Sequence, residues 1–121
     1  IAQLFAKKGQ KSKARNYANR AIGQNPNMGK AYLLIAGLYA SSANSCGTKE
    51  FDKRMVYVAA LNKARRARAV DPSISSKANR HIKNYRGNEP SKKLIFTMGI
   101  KPGTSYKIKC WIGETVKVPQ K

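Results

Sequence analysis

Acidic residues are scarce in this 121-residue chain: Glu50, Asp52, Asp71, Glu89 and Glu114 stand against 25 Lys and Arg. Histidine is rarer still, with His81 alone, and there are two cysteines and one tryptophan. General acid–base catalysis draws on a carboxylate pair, or on a His with an orienting partner. Here the acids are scattered, and Asp71 sits beside Pro72 at an expected helix end. Two Cys and one His fall short of the four ligands of a structural zinc site. Glycine-rich phosphate loops and nucleophile elbows are also missing. These absences point away from an enzyme. No cofactor, metal or small-molecule substrate is expected, and an enzyme reading would survive only if a preceding part of a longer protein carried a catalytic domain.

Long apolar runs are missing too. The longest, Ala31 to Ala40, has ten residues, too few to span a bilayer. The chain starts at Ile1 and nothing near it resembles a signal peptide, so a processed, trimmed or partly resolved chain is expected. An apolar fraction of 41% is lean but sufficient for a core, and the length suits one domain with a short appendage.

What is present begins with a repeat. Residues 14–27, ARNYANRAIGQNPN, align with residues 60–73, ALNKARRARAVDPS, at a constant offset of 46. They share Ala14/Ala60, Asn16/Asn62, Ala18/Ala64, Arg20/Arg66, Ala21/Ala67 and Pro26/Pro72. The shared alanines recur at four and then three residues, one face of a helix on which a neighbouring helix can approach closely. Each Pro then stops its helix. After Pro26, Met28, Ala31, Tyr32, Ile35, Leu38 and Tyr39 keep helical spacing; after Pro72, Ile74, Ala78, Ile82 and Tyr85 do the same. The spacing predicts helices over about 1–8, 11–24, 28–43, 52–70 and 74–86.

This alternation resembles the tetratricopeptide repeat (TPR) family over about residues 1–86. Tyr32, Ile35, Ala36 and Tyr39 match the first helix of that pattern, and Ala60, Ala64, Ala67 and Pro72 the second. Ala14, Tyr17, Ala18, Ala21 and Pro26 match the second helix of a preceding repeat. The offset departs from the usual period of about 34, and the surplus falls between Tyr39 and Val56. The resemblance implies a mainly α fold, a TPR-like helical-hairpin solenoid of about two repeats plus a capping helix. It would occupy 1–90, with an insertion at about 41–54, and residues 91–121 would cap it. The segment YLLIAGLYASSANSCG, with the tail CWIGETVKV, is more narrowly similar to TPR proteins of the Bacteroidota with a short β-rich tail, many of them in the cell envelope. Family geometry would place Asn27, Lys30, Leu34 and Asn79 in a partner groove.

From Lys93 the period changes. Leu94, Phe96 and Met98 alternate with Ile95 and Thr97; Tyr106, Ile108, Cys110 and Ile112 alternate with Lys107, Lys109 and Trp111; Val116 and Val118 alternate with Lys117. With turns at Gly99–Ser105 and Gly113–Glu114, this predicts a small antiparallel β-meander docked on the last helices. Cys110 falls on its inward face and Cys46 in the insertion. Two readings stand: a disulfide tying insertion to cap, or two unrelated reduced thiols. Thin cores in small domains favour the staple. A shared metal site ranks behind both. His81 reads as a half-buried packing residue rather than a ligand.

The formal net charge is +20 and the pI about 10.4. Basic residues concentrate at Lys7, Lys8, Lys11, Lys13 and Arg15, at Lys63, Arg65, Arg66 and Arg68, and at Lys77, Arg80, Lys83 and Arg86. The outward strand face would add Lys107, Lys109 and Trp111. Any one cluster could be a solvated face, but the total repels itself, so an anionic partner or surface is expected: lipopolysaccharide, an acidic protein or nucleic acid. Lys outnumbers Arg and no nucleic-acid motif occurs, which argues against base-specific readout. The expected function is a non-catalytic scaffold or adaptor within a larger assembly, in the periplasm or cell envelope. The alternative is an RNA- or ribonucleoprotein-associated protein that binds phosphate backbone, and a cytoplasmic location would accompany it.

Overall fold

The computed structural model describes residues Ala2–Gln120. Helices come first: α1 Ala2–Lys7, α2 Lys11–Gln24, α3 Gly29–Ser41, α4 Glu50–Val70, α5 Ser75–Asn88 and α6 Lys92–Thr97. Two strands follow, β1 Ser105–Lys107 and β2 Thr115–Lys117, paired antiparallel with Tyr106 opposite Val116. The protein is therefore mainly α, with a two-stranded sheet. Successive helices pack in chain order, α1 on α2, α2 on α3, α3 on α4 and α4 on α5.

Alanine sets the helix spacing. Ala14 and Ala18 of α2, Ala36 of α3, Ala59, Ala60, Ala64 and Ala67 of α4, and Ala78 of α5 are all buried to 1% exposure or less. Methyl-sized side chains at these contacts let backbones approach, and larger residues such as Tyr39, Phe51, Met55 and Leu61 fill the space around them. Gly29 allows a similarly close approach. A Cβ there would sit 2.7 Å from Asp71 Cβ and 3.1 Å from the Ala67 carbonyl, so the start of α3 rests directly on the end of α4.

The longest helix, α4, lies between α3 and α5 and buries residues toward both. Glu50 and Asp52 occupy its first turn and Arg68 its last, each on the end that the helix dipole favours. Of the segment 41–54, Ser42–Lys49 forms the connection, with a 3₁₀ turn at Ala43–Ser45, while residues 50–54 open α4. The surplus length is thus divided between a short loop and a longer helix.

The tail differs from its sequence pattern. Leu94, Ile95 and Phe96 are helical, not the first strand of a meander. Ser91 explains it: its hydroxyl accepts the Leu94 N–H and caps α6, and that local hydrogen bond outweighs a short, ambiguous apolar alternation. Residues 109–112 are turn rather than strand. Even so, Ile108, Ile112, Val116 and Val118 join one hydrophobic cluster with Ile35, Tyr39, Met55 and Leu61 of the helices. A disulfide links Cys46 to Cys110 across a sequence separation of 64 and fastens the α3–α4 connection to the tail.

Because the bridge closes a loop of that length, the reduced chain regains considerable freedom when it unfolds. The double variant Cys46→Ser/Cys110→Ser, or reduction, is expected to cost about 4 kcal/mol. Urea unfolding with and without reductant measures it.

Candidate functional site

Alternate helices meet in one groove. Gln3 of α1, Lys30, Leu33 and Leu34 of α3, and Lys77 and His81 of α5 line a cavity of about 380 Å³. Leu33 is buried and Leu34 half-buried, so the floor is apolar, while the two lysines, Gln3 and His81 supply the polar rim. No acid lines it. His81 is held by the next turn of its own helix: the imidazole Nδ1 lies 3.3 Å from the Tyr85 hydroxyl, and the two rings stack. Burial lowers the His81 pKa from its ordinary 6.5, and the Lys77 and Arg80 charges lower it further. The groove therefore presents two lysines beside an imidazole whose uncharged form is favoured by its surroundings.

Of the groove residues expected from sequence, Lys30 and Leu34 line this cavity and the other two do not. Asn27 lies in the exposed turn before α3, where its N–H donates to Asn25 Oδ1 at 3.1 Å. Asn79 accepts from Arg68 Nη1 at 2.8 Å and so faces α4. Gln3, Leu33, Lys77 and His81 also line the cavity, and the sequence reading had not placed them in a groove. The signal for them was the alternation itself, since odd-numbered helices share one side when successive helices pack in order.

The basic residues do not form a single patch. About 100° of turn per residue puts Lys77 and Arg86 on opposite sides of α5. Accordingly Lys77 enters the groove, whereas Arg86 joins Arg65 and Lys117 around a second cavity of about 700 Å³, beside Glu89 and against Val58 and Val118. Arg80 and Lys83 are exposed between them. Arg66, Lys107 and Lys109 are likewise exposed, and Lys63 pairs with Glu114 at 3.4 Å.

Trp111 does not lie on an outward strand face. It lies in the turn after β1, half-buried, with its indole N–H donating to Ser42 Oγ at 3.1 Å. Its ring meets Tyr39 edge-on, and the Arg15 guanidinium sits 4.9 Å above it. Arg15 does most of the tying. It donates to the carbonyls of Ile112 at 2.7 Å and Trp111 at 3.1 Å, and to the Tyr39 hydroxyl at 3.1 Å. That hydroxyl in turn donates to Glu114. Burial and the Glu114 hydrogen bond push the Tyr39 pKa up to about 12. Likewise Tyr106 of β1 donates to Asp52 of α4, and burial followed by that bond raises its pKa well above the usual 10.

Two consequences are measurable. Arg15→Ala removes three charge-assisted hydrogen bonds at once and should cost about 2–3 kcal/mol in chemical denaturation, with loss of the near-UV signal of Trp111. For His81, NMR titration should give a midpoint below 6.5, and Lys77→Gln should move it back upward. The sign for stability follows: the His81 contribution is whole above the unfolded value of 6.5 and is lost as pH falls toward the lower folded value.

No family model, no curated protein and no solved structure matches this chain.

Proposed function

We propose that this protein is a non-catalytic scaffold, a short TPR-like helical-hairpin stack that holds a segment of a protein partner in the groove between α1, α3 and α5. The observation that carries the reading is the lining of that groove, drawn from alternate helices with Lys30 and Lys77 above Leu33 and Leu34. Convex surfaces of stacked hairpins leave such a concave side open, and an apolar floor with a cationic rim suits an extended or helical segment bearing carboxylates. The lysines would speed encounter and select charge, while the leucines would supply contact area.

The repeat reading has further support. The alanines at the 46-residue offset, Ala14/Ala60 and Ala18/Ala64, are buried in both copies, and Pro26 and Pro72 follow the two corresponding helices. The Cys46–Cys110 bridge supports an oxidising compartment, such as the periplasm or cell envelope. No helix among the described residues is long and apolar enough to cross a membrane. The nucleic-acid alternative draws on the net charge alone, and the bridge weighs against its intracellular form.

Site-specific photocrosslinking in the native host tests the assignment. A photoreactive residue at Leu34, Lys30 or Lys77 should capture one and the same protein, while one at exposed Arg20 on α2 should not. Leu34→Glu should abolish capture through Lys30 and Lys77 without changing thermal stability by more than about 1 kcal/mol. Equal capture from Arg20 would sink the groove, and nuclease-sensitive capture would move the protein to the nucleic-acid class.

A further inference from the structure

The tip built by α6 and the turn after it exposes apolar surface that the fold leaves unused. Among the described residues, Phe96 is the most exposed large apolar side chain, at 84%. Its neighbour Ile95 is the buried residue of α6, at 2% exposure, and Leu94 and Ile100 pack partly against the core. With Ile95 anchored inward, the next residue along the helix is carried round by about 100° and must project. Met98 is also exposed, at 36%. Phe96, Ile95, Ile100 and Pro102 line a shallow apolar groove of about 510 Å³ whose remaining lining residues are Lys92 and Lys93. Lys101 is exposed between Ile100 and Pro102. No acid lines this groove.

We propose that this tip seats the protein on an anionic lipid bilayer, with Phe96 and Met98 entering the interface and Lys92, Lys93 and Lys101 meeting lipid phosphates. Charge complementarity chooses the occupant. An apolar knob ringed by lysines suits a surface whose outer layer is anionic and whose interior is oily. A ring that projects at 84% exposure also suits a soft medium that closes round it, since a folded partner would have to offer a matching pocket. The remaining charge acts in the same direction. Net +20 spread over the whole chain is drawn to a uniformly negative plane without any particular pairing. Attachment would be peripheral, because no helix among the described residues is long and apolar enough to span. The tip shares no lining residue with the groove of Lys30 and Lys77, so a partner segment and a bilayer could be held at once.

Vesicle flotation tests this with the oxidised protein, using phosphatidylcholine vesicles with and without a minority of phosphatidylglycerol. Wild type should float only with the anionic vesicles. Phe96→Ser should weaken that partition ~10-fold, with an unchanged melting midpoint because the side chain is already exposed. Lys92→Gln/Lys93→Gln should weaken it ~5-fold per lysine, and by more than the same change at Lys7 and Lys8 at the C-terminal end of α1. Partition of Phe96→Ser equal to wild type would overturn the proposal, leaving attraction by net charge alone. Equal losses from the two lysine pairs would overturn it as well, as would equal binding to neutral vesicles. If wild type instead forms a dimer that Phe96→Ser dissociates, and floats with neither vesicle, the tip belongs to a second copy and not to a membrane.

Discussion

One junction holds the tail of the protein to its helices: the turn Cys110–Glu114 lodged over α2, α3 and α4. Two strands cannot sustain themselves in water, so β1 and β2 exist because this turn is fixed. Arg15 supplies donors to the carbonyls of Trp111 and Ile112, the Tyr39 hydroxyl donates to Glu114, and Lys63 closes the ring from α4. The bridge to Cys46 fastens the same turn covalently to the α3–α4 connection. Apolar packing adds Ile108 and Ile112 below. Each contact alone is modest, but they share one rigid turn, so loss of any one loosens the others.

The scarcity of acids reads differently once their places are known. Glu114 and Asp52 each accept from a tyrosine and tie the tail to the helices. Asp71 accepts from the Ser73 N–H and so caps the 3₁₀ turn at Pro72, and its pKa is lowered first by a second hydrogen bond, from the Ser73 hydroxyl. Glu50 pairs with Arg54 at the start of α4. Acids are kept where the fold requires an acceptor, at caps and seams. Apart from Arg15, Lys63 and Arg54, which hold the tail or pair with an acid, most of the positive charge lies on the surface, available to a partner.

Much of the helical part was legible because its signals are local. Alanines at four- and three-residue spacing, followed by Pro26 and Pro72, place α2 and α4 with their closing turns, and the apolar spacing from Met28 to Tyr39 places α3. The tail was less legible for the opposite reason. Leu94–Ile95–Phe96 is a continuous apolar run that fits strand or helix, and Ser91 decides it through one capping bond. Trp111 alternates with lysines as an exposed strand residue would, yet its position is set by Arg15 and Ser42, which lie 96 and 69 residues away in sequence. Lys30 and Leu34 were expected in a groove and do line this cavity, whereas Lys77 and His81 were not assigned to one, because only the packing order of α1, α3 and α5 brings these residues to one side. The pairing of Cys46 with Cys110 was one of two readings that the sequence left standing, and the folded geometry selects it.

The charge and the staple are connected. A protein at +20 repels itself, and at physiological salt that repulsion reaches only about 8 Å before it is screened, so near neighbours dominate. Cations from different elements come together where Lys30 and Lys77 line one groove and where Arg65, Arg86 and Lys117 line a cavity beside Glu89. Both clusters bridge different elements, so repulsion within them pushes helices and tail apart instead of merely bending side chains. A covalent bridge that raises the free energy of the unfolded chain offsets this without adding acids, which would cancel the field. An anionic ligand in either place would relieve the same repulsion and so stabilise the fold as it binds. Salt and partner binding therefore act on one quantity, the repulsion between neighbouring cations, and the core of alanines and large apolar residues is left to determine shape.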